Sequence, residues 1–212
     1  MGCAVMAFDG PDPARRAEVR DRHLAVITAW AAAGRLALGV PLFNAAFKPV
    51  GSLMILTVED RAGLDAYLAE EPFAVEGVWE RVETMPFRIA SLPYRPLPAG
   101  PAATSRTHTI TIAYDAQDAE APARRAAARP AHFERVTGWA KDGTLALGGA
   151  ILDADGAAMI GSIAITRHAS DAEAEAAWAD DPYVTGRVWS TVQRWGTRFA
   201  PLPYRPLPGA EV

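Results

Sequence analysis

The chain has 212 residues, of which half are hydrophobic and 22% charged, with a net charge of -4 at pH 7. That is the composition of a soluble globular protein with room for one large domain or two small ones, and it offers no basic field of the kind that holds nucleic acid. Cys3 is the only cysteine, so an intrachain disulfide or a cysteine metal cluster is excluded.

No apolar run approaches the roughly 18 residues that cross a bilayer. The stretch Met1 to Met6 lacks the basic region of a signal peptide and the Ser or Thr of a myristoylation signal. The expected location is the cytoplasm, with no membrane or nucleic-acid partner.

In chain order, Ala4 to Phe8 reads as an opening strand, followed by the turn Gly10-Pro11-Asp12-Pro13. A helix is predicted from about Ala14 to Ala33, with Ile27, Trp30 and Ala31 on its apolar face and Gly34 as its cap. Leu36 to Leu42 and Gly51 to Val58 form a predicted strand pair around a turn at Asn44. A second helix starts near Asp60 and is expected to stop at Pro72, since proline cannot donate the helical N–H. Val78 to Ile89 closes the unit as a strand.

The same elements then recur. Thr107 to Tyr114 alternates polar and apolar residues as a strand does. His132, Val136, Trp139, Ala140 and Gly143 repeat His23, Ile27, Trp30, Ala31 and Gly34; Leu145-Ala146-Leu147-Gly148 repeats Leu36-Ala37-Leu38-Gly39. A turn at Asp155-Gly156, a helix near Asp171, Pro182 and a strand from Val188 to Phe199 complete the second copy. Leu92-Pro93-Tyr94-Arg95-Pro96-Leu97-Pro98 returns unchanged as Leu202 to Pro208. Matches in fixed order over most of each copy indicate tandem duplication: repeat one over 1–98, a linker over 99–105, and repeat two over 106–212.

Each copy has the order β-α-β-β-α-β, a ferredoxin-like α+β unit. Its two helices cover one face of the sheet, and the bare face must find a partner. The other copy is that partner, giving two units packed sheet to sheet as an intramolecular pseudo-dimer that approaches a closed barrel. The prolines of the tails forbid ordinary ladder pairing. The tails are expected as extended arms, anchored by Tyr94 and Tyr204, that brace the two halves or a homodimer.

Two recurring features could carry chemistry. His23 and His132 lie four and seven residues before apolar helix positions, on or beside the buried face. Glu71 and Asp181 precede the helix-ending prolines. A histidine beside a carboxylate is an acid–base pair; a histidine hydrogen-bonded within the core, and ordinary helix-stop chemistry, are the structural alternatives. Ser52 and Ser162 either line a pocket or fill the close approach of strand and helix. Trp79 and Trp189, after the proline loop, are the tryptophans best placed for a pocket. His108 and His168 have no counterpart in the other copy and read as surface or strand residues. No glycine-rich nucleotide loop and no His-Glu-x-x-His motif is present, so no cofactor and no metal is expected.

The motifs Arg129-Pro130-Ala131-His132-Phe133, Gly143 to Gly149, Gly161-Ser162 and Ala179-Asp180-Asp181-Pro182-Tyr183 resemble the YciI-like (YCII-related) family. Gly34-Arg35-Leu36, Gly51-Ser52-Leu53 and Glu71-Pro72-Phe73 repeat the pattern. The resemblance implies a dimeric α+β barrel with a His–Asp pair in a pocket, here His132 with Asp181 and, by repetition, His23 with Glu71. It also puts Tyr183 and Phe73 beside the pocket. A relative is implicated in dehydrochlorination of a chlorinated hydroxyquinol. The second repeat, closer to the pattern, is the expected working site.

Two functions follow as expectations. One is a cofactor-free enzyme of isomerase, lyase or hydrolase type that acts on an aromatic or lactone-like small molecule. The other is a non-catalytic ligand-binding or interaction module on the same barrel.

Overall fold

The computed structural model describes residues 2–210; Met1, at the expected start of repeat one, and Glu211 and Val212, at the expected end of repeat two, lie outside them. The first half runs β1 (Gly2–Asp9), α1 (Pro13–Ala32), β2 (Leu36–Phe43), β3 (Pro49–Leu56), α2 (Arg61–Glu70), α3 (Pro72–Val75) and β4 (Trp79–Ile89). The second runs β5 (His108–Asp115), α4 (Ala121–Asp142), β6 (Leu145–Leu152), β7 (Met159–Thr166), α5 (Asp171–Trp178), α6 (Pro182–Thr185) and β8 (Trp189–Thr197). The expected order appears twice, with one addition. Pro72 and Pro182 do more than end a helix: each opens a further one-turn helix, because the missing N–H is one that a first helical position leaves unpaired anyway.

Local chemistry sets the long helices. Asp12 Oδ1 accepts the Ala14 N–H at 3.0 Å and Pro13 begins α1. Gly34 and Gly143, with φ of 75° and 79°, stop α1 and α4 in the left-handed turn that glycine adopts most readily. Trp30 is buried as expected. Trp139 is not: it is half-buried, under the Arg135 guanidinium at 4.8 Å, and Val136 and Ala140 carry the buried face of α4 instead.

The strands close into one barrel in the order β1-β3-β2-β8-β5-β7-β6-β4. Along β1 the side chains alternate. Cys3, Val5 and Ala7 belong to a cluster with Val19, Ile27 and Trp30 of α1. Ala4 and Met6 join a second cluster that contains Ile110 and Ile112 of the other repeat. The face left bare by one repeat is thus buried by the other.

Two seams join the halves, and they differ. At β4–β6 three residue pairs are in register, Phe87 with Ile151, Arg88 with Ala150 and Ile89 with Gly149. At β2–β8 only Phe43 and Gly196 pair. Pro41 stands in β2 near that point and has no N–H to give; its carbonyl accepts the Thr197 hydroxyl at 2.7 Å.

The tails brace these seams inside the chain. Tyr94 Oη donates to the Gly148 carbonyl at 2.9 Å and accepts the Gly148 N–H at 3.1 Å. Tyr204 Oη does the same for Gly39, at 2.9 and 3.1 Å. Arg95 Nε reaches the Lys141 carbonyl at 2.7 Å and Arg205 Nη2 the Ala32 carbonyl at 3.1 Å, each at the C-terminal end of the other repeat's long helix, where a cation is favoured. The two arms also meet, with Leu92 N–H donating to the Pro208 carbonyl at 3.2 Å.

Replacing Tyr94 by Phe removes a donor and an acceptor from the buried backbone of Gly148. The expected cost is about 1–3 kcal/mol in urea unfolding, and an unchanged midpoint would contradict the bracing role. Arg187 has φ of 52° at the place where repeat one has Gly77, with φ of 70°. Arg187→Gly should relieve a left-handed cost of about 1–2 kcal/mol and raise the same midpoint, less the entropy that glycine adds to the unfolded chain.

Candidate active sites

Each repeat joins its long helix to its one-turn helix through a histidine and a buried carboxylate. In repeat two Asp181 is extended, with φ of -69° and ψ of 138°, and caps α6: its Oδ1 accepts the Tyr183 N–H at 2.8 Å. The same carboxylate lies 2.8 and 3.1 Å from Nδ1 of His132. Asp181 is completely buried, and an ionised carboxylate only accepts. With Nδ1 as donor to that carboxylate, Nε2 is the ring nitrogen without a protein partner among the described residues, and His132 lines a cavity. Tyr183 stacks on the imidazole at 3.8 Å, and Trp189 meets it edge-on at 5.9 Å.

Repeat one builds the same pair with a longer acid. Glu71 Oε1 is 2.6 Å from Nδ1 of His23 and accepts the Phe73 N–H at 3.0 Å. The other oxygen accepts the Tyr67 hydroxyl at 2.8 Å. Burial, and then the Glu71 charge, hold that phenol well above its ordinary pKa, so it stays a donor. Phe73 stacks on His23 at 3.9 Å. In repeat two an alanine, Ala177, replaces Tyr67, and Arg135 Nε stands 3.9 Å from the second oxygen of Asp181.

Two arginines complete the sites, and both escape a reading of the sequence for function. Arg125 Nη1 lies 2.7 Å from both oxygens of Asp115, while Nη2 donates to Ser162 Oγ and to the Gly161 carbonyl, each at 3.3 Å. Arg16 holds Asp9 at 2.7 and 2.8 Å and Ser52 at 2.9 Å. Each guanidinium carbon sits 4.7 Å over the aromatic ring that stacks on the histidine, Tyr183 or Phe73. Burial pushes the Asp115 carboxyl above its ordinary pKa against the pull of Arg125. The repeated Asp before each turn and repeated Arg after it were the available signal.

A cavity of about 350 Å³ opens beside His132. Arg125, Arg129, Ser162, Tyr183 and Trp189 line it, together with Arg88 from the end of β4 in the other repeat. A cavity of about 470 Å³ opens beside His23, lined by Arg16, Arg20, Ser52 and Phe73, and by Arg198 from the other repeat. The larger one borders the shorter seam, through Gly39, Val40 and Pro41. Both serines therefore line cavities and accept hydrogen bonds from arginine. Trp189 lines its cavity and donates to Ser162 at 3.3 Å; Trp79 stands edge-on to His23 at 6.4 Å, off the cavity wall. Asp181 and Glu71 lie behind their histidines. His108 and His168 line neither cavity. Burial foremost, with Arg167 nearby, pushes His108 down to about 4 and keeps it neutral. Among the described residues no group of three or more His, Cys, Asp or Glu side chains could hold a metal ion.

Two ferredoxin-like units closed into one barrel, with helices outside and a cavity in each half, define a protein of the dimeric α+β barrel class. The YCII-related domain model matches residues 1–88 and again residues 107–195, so the chain belongs to the YCII-related family and carries its domain twice. No curated protein matches the sequence. Among solved structures, an anthrone oxidase-like protein is 13% identical with a TM-score of 0.57, covering 94% of this chain and 91% of its own. A mutant chlorite dismutase from Candidatus Nitrospira defluvii, in complex with cyanide, is 12% identical with a TM-score of 0.57, covering 95% and 91%. The 5-chloro-2-hydroxyhydroquinone dehydrochlorinase TftG from Burkholderia phenoliruptrix AC1100 is 18% identical with a TM-score of 0.39, covering 42% of this chain and 96% of its own. At these identities the likeness to the first two is one of fold.

The hydrogen bonding of the two pairs is directly measurable. In ¹⁵N NMR spectra of histidine-labelled protein, His132 and His23 are expected as Nδ1–H tautomers. Asp181→Asn, whose amide can donate as well as accept, should remove that fixed preference at His132. An Nε2–H tautomer in the wild type would contradict the arrangement.

Proposed function

We propose that the chain is a small-molecule acid–base enzyme in which His132 moves a proton and Asp181 positions it, with His23 and Glu71 as a second pair. The observation that carries this reading is the setting of the imidazole. A buried carboxylate holds Nδ1, an aromatic ring stacks on the imidazole, and the same imidazole lines a cavity of about 350 Å³. A histidine that served only the core would have no need of a cavity at its free nitrogen. Membership of the YCII-related family supports the same reading.

The chemistry needs only proton transfer. Nε2 takes a proton from a carbon beside a carbonyl or from one adjacent to a carbon that bears a leaving group. In an isomerisation the imidazolium returns that proton to another carbon. In an elimination the released electron pair forms the C=C bond, and the leaving group departs with its own bonding pair. In a hydrolysis Nε2 takes the proton of the attacking water as its oxygen bonds to the carbonyl carbon, and the imidazolium gives that proton to the departing oxygen when the C–O bond breaks. The arginines at the cavity stabilise the negative charge that develops on an oxygen. A cavity of this size and mixed lining suits a compact aromatic or lactone-like substrate.

The test is turnover of a panel of hydroxy-lactones, chlorohydroquinones and aryl esters by wild type, His132→Gln and His23→Gln. For a substrate used by repeat two, His132→Gln should cost about 10²–10⁴-fold in kcat with a melting temperature within a few degrees of wild type. Unchanged turnover, or loss of the fold with the histidine, would overturn the assignment. Saturable binding of panel members with no turnover would favour a ligand-binding module.

A further inference from the structure

The two cavities correspond by repeat but differ in their walls. In repeat two the β6–β7 loop turns through Gly156, with φ of 72° and its N–H on the Asp153 carbonyl at 3.0 Å. In repeat one the β2–β3 loop makes the same bond from Phe47 to the Asn44 carbonyl, also at 3.0 Å, and Phe47 has φ of 55°. A bulky residue is disfavoured in that left-handed conformation. Its ring stacks on Phe43 at 4.1 Å, and both rings line the larger cavity. Phe43 ends β2 where Leu152 ends β6, and neither Leu152 nor Gly156 lines the smaller cavity. Repeat one thus brings two stacked phenylalanines to its cavity from a strand end and loop whose counterparts in repeat two stay off the cavity wall.

Charge stands beside that wall. The guanidinium carbon of Arg198 lies 5.5 and 5.6 Å from the two ring centres, and its Nη1 donates to the Ala103 carbonyl. Arg198 is half-buried, and among the described residues no carboxylate forms an ion pair with it. Arg20 lines the same cavity, and its ion-pair partner is the exposed neighbour Asp21, at 3.9 Å. Arg16 is already committed to Asp9. The cavity therefore presents two cations with capacity to spare beside a pair of aromatic rings. Arginine matches a carboxylate in two parallel hydrogen bonds, and a stacked ring pair accepts a flat ring better than a puckered one.

We propose that the cavity of repeat one binds a planar aromatic carboxylate, its ring against Phe43 and Phe47 and its carboxylate held by Arg198 and Arg20. This is a claim about binding, and it stands whether or not His23 or His132 turns anything over.

Calorimetric titration of the full chain with 2-naphthoate, 2-naphthamide and cyclohexanecarboxylate tests it. Naphthoate should bind at least tenfold more tightly than either analogue. Arg198→Gln should weaken it tenfold or more and Arg20→Gln several-fold, whereas Arg88→Gln, which alters the other cavity, should leave it unchanged. Phe47→Gly should weaken naphthoate at least fivefold without lowering the urea midpoint, since the relieved backbone offsets the lost ring contact. Equal binding of the amide, affinity indifferent to both Arg198→Gln and Phe47→Gly, or a loss with Arg88→Gln in place of Arg198→Gln would each overturn the proposal. If Arg198→Gln disturbs the fold, Arg20→Gln on the exposed face of α1 carries the charge test. His23→Gln should still bind naphthoate, so failure of the acid–base reading and failure of this one give different results.

Discussion

Closure of the barrel rests on two places where the edge of one half meets the edge of the other. An open strand edge exposes unpaired N–H and C=O groups and invites pairing with other chains. At β4–β6 the backbone ladder supplies the closure. At β2–β8 it scarcely does, because Pro41 has no N–H to give, and the Thr197 hydroxyl reaches the Pro41 carbonyl instead. The looser join leaves room beside it, and the larger cavity lies there. The same proline that weakens the ladder thus helps to set the size of a candidate site.

A second dependence runs through the buried carboxylates. Asp181 and Glu71 each begin a one-turn helix and hold a histidine with the same oxygen. A fully buried acid must be supplied with donors, so the helix N-terminus and the imidazole stabilise it jointly. The difference between Asp and Glu is absorbed nearby, where Tyr67 meets the oxygen that the longer side chain brings forward. The two repeats therefore reach one geometry with different residues.

Much of this was legible from the residues. Periodicity and repeated words pointed to the two ferredoxin-like units, and the bare face of each required the other. The histidines and the carboxylates were legible as repeated residues, on a buried helix face and before a proline expected to end a helix; that each pair meets was implied by the family resemblance and not by spacing. The depth of Trp139 was not legible, because it depends on where Arg135 falls, which helical spacing alone does not fix. Arg16 and Arg125 were visible as repeated letters, but nothing local says that a strand-end aspartate and a helix arginine meet seven and ten residues apart. Arg88 and Arg198 were beyond sequence reading altogether, since the barrel topology alone carries each into the opposite repeat's cavity.

That exchange of arginines has a consequence for how the protein behaves on dilution. Were the two halves separate chains, a finished cavity would exist only while the chains stayed associated, and its occupancy would fall with protein concentration. A two-fold pair would also be obliged to place the same residue at both loop positions. Tied through the segment between β4 and β5, each half meets the other at a fixed local concentration. The chain can then keep Phe47 in one loop and Gly156 in the other, so that the two cavities need not share one shape.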